Sequence, residues 1–130
     1  SKSAACSVLA STDTALILLQ RSRISAVSVD ASTLQAADLD AVAAFVESGR
    51  TVVLGLVPVT APERAPSMEE VAAAAVAVTD RLGVPRSALR DRLGVSPACG
   101  LANATGQWAR TAVGLARDVA EAFARDPEAI

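Results

Sequence analysis

The chain has 130 residues, 52% of them apolar, which suits one domain with a sizeable core and excludes a disordered segment. Twelve basic and fourteen acidic residues leave a net charge of -2, which argues against the basic face of an electrostatic nucleic-acid binder. Two distant cysteines and no histidine exclude a disulfide framework and fit reduced thiols in the cytoplasm.

No charge-free apolar stretch reaches membrane-spanning length, so no membrane partner is expected. The apolar stretch from Val71 to Val78 is bracketed by Glu69, Glu70 and Asp80. The N-terminus has no charged region leading into a long apolar core, so no signal peptide is read there. Aromatic residues are limited to Phe45, Trp108 and Phe123, and alanine supplies much of the apolar content. Such a composition suits close helix packing better than a β-sandwich. Arginine outnumbers lysine eleven to one, the mark of a GC-rich genome.

Ala4 to Leu9 is the first short apolar run, and it carries Cys6. Thr12 to Arg21 reads as a helix, with Leu16, Ile17 and Leu19 at helical spacing and Ser11 or Thr12 as its cap. Ile24 to Val29 reads as a strand with Ile24, Ala26, Val27 and Val29 buried. Asp38 to Ser48 is a helix with Leu39, Val42, Ala43 and Val46 on one face, closed by Gly49. Thr51 to Val57 is a nearly continuous apolar strand, expected to be buried on both faces as in a parallel sheet.

A proline-rich loop from Pro58 to Pro66 follows. Ser67, with Glu70 three residues on, forms a capping box for a helix that stops at Gly83. Pro85 to Arg92 reads as a short helix and Leu93 to Ser96 as the fourth strand. Thr105 starts a last helix to Arg125, with Ala109, Ala112, Val113, Ala116, Val119 and Phe123 as its buried stripe. Arg81, Arg86, Arg90, Arg92, Arg110 and Arg117 are read as a solvated face. Trp108 is read as packing the last helix on the sheet.

Four consecutive strand–helix units imply a parallel sheet with right-handed crossovers. They fit either a small open α/β sheet or half of an eight-fold barrel. No Gly-x-Gly-x-x-Gly follows the first strand and no Walker A sequence is present, so nucleotide binding has no support beyond fold class. The segment Val95-Ser96-Pro97-Ala98-Cys99-Gly100-Leu101 puts a thiol at a strand's C-terminal end, where α/β proteins place their chemistry. A bland reading also stands, in which Cys99 is a small buried residue before a glycine turn.

Two segments resemble the cobalamin-independent methionine synthases. Gly55-Leu56-Val57 followed by Ala65-Pro66-Ser67-Met68-Glu69-Glu70-Val71 is similar to that family's seventh strand–loop–helix unit, and Ser96-Pro97-Ala98-Cys99-Gly100-Leu101 to the segment carrying its last zinc-binding cysteine. The resemblance covers nearly the whole chain. It implies a TIM-type (β/α)8 fold, of which residues 1–130 form one domain of about four βα units, the C-terminal half of the barrel. By position it makes Cys6, Asp30 and Cys99 the zinc ligands, although Asp30 also reads as a helix N-cap. Ala4 stands where the family has a histidine, so the set falls to three, the number a catalytic zinc site takes from protein. Ala98, Pro58 and Ala102-Asn103-Ala104 replace further charged positions of the family pattern. These departures resemble the shorter methionine-synthase-like proteins of actinobacteria.

The resemblance implies a zinc-dependent methyltransferase of methionine biosynthesis, passing a methyl group from a folate donor to a thiol such as homocysteine. The alternative is a catalytically inactive barrel half acting as a structural or assembly domain. Four units leave two open sheet edges and an unfilled interior. Both readings therefore expect association with a missing N-terminal half or with a second copy. The start of the chain at its first strand is read as the mark of a cut polypeptide.

Overall fold

The computed structural model describes residues 18–128 and the backbone of residues 5–6. The expected helix from Thr12 lies mostly outside the described residues; residues 18–20 are helical. Strand β1 (Ala5–Cys6) is a two-residue segment, followed by β2 (Ala26–Asp30) and a 3-10 turn (Ala31–Thr33). Helix α1 (Ala36–Glu47), β3 (Thr51–Val57), α2 (Met68–Leu82), α3 (Ala88–Asp91), β4 (Leu93–Pro97) and α4 (Gly106–Arg125) complete the order.

The sheet is parallel throughout and its strands lie in sequence order, β1-β2-β3-β4. A right-handed crossover that always moves to the next strand in the same direction puts every helix on the same side. The contacts agree: α1 packs on α2, α2 on α4, and α3 on α4, as one layer against β3 and β4. This singly wound order is that of part of a barrel, and differs from a doubly wound sheet, whose order reverses at a switch point.

The core lies between that helix layer and the outer face of the sheet. Val27, Val29, Val52 and Leu54 from the strands meet Val42, Phe45 and Val46 of α1, Val71, Ala72 and Ala75 of α2, and Ala112, Val119 and Phe123 of α4. Alanines on α2 and α4 let the helices approach closely, as the composition implied. Helix boundaries follow local chemistry. Ser67 accepts from the Glu70 amide while the Glu70 carboxylate accepts from the Ser67 amide, the expected capping box. Gly83 closes α2 in the left-handed region at φ 71°. Thr105 caps α4 by accepting from the Trp108 amide.

Two expectations need correction. Strand β3 is not closed on both faces along its length: Val52 and Leu54 are fully buried, whereas Thr51 and Val53 are partly open, because among the described residues no layer covers the inner face and only the backbone around Ala98 approaches it, at Gly55. Val113, assigned to the buried stripe of α4, is 54% exposed. It lines the open cleft that also holds Cys99, on the β4 side of the sheet, where no further strand pairs among the described residues. The arginines read as a solvated face are exposed, apart from the half-buried Arg86, and three of them also make tertiary bonds. Arg92 donates to the Val46 carbonyl at the end of α1, Arg90 to the Ala124 carbonyl near the end of α4, and Arg86 pairs with Asp80.

Candidate functional site at the sheet mouth

The C-terminal ends of the strands form a rim, and β2, β3 and β4 each bring an inner-face residue to it. Asp30, Gly55 and Ser96 stand in one register row. The outer two are two strand spacings apart, about 10 Å. One row deeper, Ser28, Val53 and Gly94 are partners, and Cys6 of β1 stands opposite Ser28. Apart from Val53, these inner-face residues are small or polar, in contrast to the branched aliphatics behind them.

The chain after β4 does not leave the sheet directly. The Ala98 amide donates to the Val57 carbonyl at 2.9 Å, turning the Pro97–Gly100 segment back over β3. The register of β3 against β4 slips between Gly55 and Val57 as this happens. The turn needs Gly55: a Cβ built there would lie 2.7 Å from the Ala98 Cα and 3.1 Å from its carbonyl oxygen. Strand glycines often mark such close backbone approach. Cys99, a half-buried free thiol, consequently lines a shallow cleft of about 360 Å³ with Ser28, Val53, Ser96 and Leu101.

Asp30 ends β2 and caps the turn that follows. Its Oδ1 accepts from the Ser32 amide at 2.9 Å and the Ser32 hydroxyl at 2.6 Å, while the Thr33 hydroxyl donates to its carbonyl. The N-cap reading of Asp30 therefore holds. Cys6 has its backbone placed by the strand register; its side chain lies outside the described residues. Among the described residues, no three His, Cys, Asp or Glu side chains gather as a group able to share an ion. Asp30 and Cys99 are nonetheless donors of the right types for zinc, a carboxylate and a thiol, and two cysteines with one acid would complete a three-ligand set.

Trp108 closes the rim on the other side. Buried at the start of α4, it donates from Nε1 to the Pro58 carbonyl at 2.9 Å and so ties α4 to the loop after β3. Beside it, Ala61, Pro62, Glu63, Ala65, Gln107 and Thr111 line a second open cleft. Sequence reasoning found Trp108 as a packing residue but missed this bond. It also missed the role of Gly55, for which a glycine inside the most apolar strand was the available signal.

A parallel, singly wound sheet with its chemistry-bearing residues at the C-terminal rim defines an α/β domain of partial-barrel type. Residues 7–122 match the family model of the cobalamin-independent synthase catalytic domain, and the chain belongs to that family. No curated protein and no solved structure matches the chain. Among the described residues, no helix is long and apolar enough to cross a membrane.

Proposed function

We propose that the chain is the C-terminal half of a (β/α)8 barrel that transfers a methyl group from a folate-type donor to a thiol such as homocysteine, working in the cytoplasm. In this reading Cys6, Asp30 and Cys99 hold zinc at the barrel mouth. When bound, zinc would keep a substrate thiol as the thiolate at neutral pH. The observation that carries the reading is the cleft that joins Cys99 to Ser28, the register partner of Cys6. Ser28 as a shared neighbour supports joining two cysteines that lie 93 positions apart in sequence.

The chain's own residues would prepare that mouth. The Pro97–Gly100 turn holds Cys99 over the sheet, and Ser32 fixes the Asp30 carboxylate from one side. Leu101, Val53 and Pro97 give the cleft apolar walls suited to a thioether or aliphatic thiol. Trp108 holds the two rim loops together. The open inner face supports association, either with a complementary half-barrel or with a second copy.

A second reading is a catalytically inactive barrel half that serves in assembly. It draws on Ala4 in place of the family's histidine and on the engagement of the Asp30 carboxylate by Ser32. Zinc content of freshly purified, reduced protein separates the two. The first reading expects about one zinc per chain, lost in Cys99→Ser. Absence of zinc from the unmodified chain would leave the second.

A further inference from the structure

We infer that Gly55 is a positioning residue for the mouth: its missing side chain lets the Ala98 backbone settle onto the rim row, and this contact keeps Cys99 on the inner face. The inference rests on the reading of Cys99 as a site residue and names what sets its position.

The argument is steric. Gly55 sits between Asp30 and Ser96 in the rim row, on the inner face. Any Cβ there would stand 2.7 Å from the Ala98 Cα and 3.1 Å from both the Ala98 and Val29 carbonyl oxygens. These are backbone atoms, so no side-chain rotation relieves the overlap. Either β3 shifts or the Ala98 segment lifts. The segment is held here by one backbone hydrogen bond, Ala98 to Val57, whereas β3 is hydrogen-bonded to strands on both sides. The segment therefore yields first, and Cys99 moves with it, away from Ser28 and Val53.

The neighbouring glycines behave differently. A Cβ at Gly94 meets Val53 alone, its two methyl groups at 3.3 and 3.6 Å and its Cα at 3.8 Å, and one at Gly100 meets nothing within 4 Å. Neither is required for the turn on steric grounds. Gly100 adjoins Cys99 directly in sequence, so it makes a stringent control.

The test uses a Cys6→Ser background, in which Cys99 is the sole thiol, and an aromatic disulfide reagent. The Cys99 thiolate attacks the reagent's S–S bond, forms a mixed disulfide and releases one coloured thiolate. Gly55→Ala is expected to accelerate this reaction on the order of tenfold as the thiol leaves its cleft, with Gly100→Ala within about twofold of the background. An unchanged rate in a Gly55→Ala chain that keeps its circular dichroism overturns the inference. Ala98→Pro removes the amide donor to the Val57 carbonyl without adding an atom at Gly55, so it should give the same acceleration; a background rate there also overturns it. In the unsubstituted chain, the Ala98 amide should exchange as slowly as the amides of β4, and exchange at a loop rate counts against the inference. These readouts do not depend on zinc. A chain without zinc but with the Gly55 effect would retain the positioning role and lose the metal reading.

Discussion

The two faces of one sheet follow different rules. The outer face presents Val27, Val29, Val52 and Leu54 to a helix layer and is closed to water. The inner face presents Ser28, Asp30, Gly55, Gly94 and Ser96, small or polar residues, with Val53 as the one branched aliphatic among them, and no described element covers this face as a layer. Both belong to the same strands, so β-propensity alone does not explain the contrast. Packing dictates the outer set. The inner set is selected by close backbone approach, as at Gly55, and by the donors carried to the rim.

Paired truncations would break this contrast most sharply. Phe45→Ala empties a fully buried position under α1 and should cost about 3–5 kcal/mol, whereas Val53→Ala on the half-open face should cost about 1 kcal/mol or less. Denaturant midpoints of the two variants test it, and equal losses would mean that the inner face is also a packed core. Trp108→Phe keeps most of the buried ring but deletes the donor to Pro58. A loss of about 1 kcal/mol is expected, read by thermal melting, with the rim loop after β3 becoming more open to protease. Ser67→Ala removes the cap of α2, and neither Ser67 nor any residue of α2 lines the Cys99 cleft. It should cost about 1 kcal/mol and leave Cys99 reactivity unchanged.

The smallest effect is one of pH. The Arg64 guanidinium, and then the Ser67 amide, hold the Glu70 carboxyl below the usual carboxylate range. A lowered folded-state pKa stabilises above the unfolded value and loses that contribution as pH falls through the folded one. Acid titration should therefore show wild type and Glu70→Gln converging below the ordinary glutamate range. The gap at neutral pH should be small, because both partners are exposed to solvent.

Much of the fold was legible in the sequence because packing writes it there as periodicity. The bounds of β3 and α2 follow their apolar runs and the Ser67–Glu70 box, and Thr105 marks the start of α4. Helix α1 begins earlier than expected, at Ala36, because Gln35 and Asp38 make a reciprocal cap that an apolar pattern does not reveal. The misreading of Val113 has another source. Helical spacing shows which residues share a face but not whether a neighbour exists to cover it. The mouth was legible in part: Cys99 stands out at a strand end, and the cap role of Asp30 was readable, whereas its place as a ligand comes only from the family resemblance. The turn that places Cys99 depends on an absent side chain at Gly55 and on a bond between two main-chain groups, neither of which leaves a periodic trace.

The central claim is that both cysteines serve one metal site at the mouth. Cadmium titration of the reduced chain, followed by sulfur-to-metal charge-transfer absorption, tests it most directly, because the band's intensity reports the number of thiolates bound. The account predicts saturation at about one ion per chain with a two-thiolate band, roughly halved by either Cys6→Ser or Cys99→Ser. A band that one of these substitutions leaves untouched, or no band at all, would contradict it.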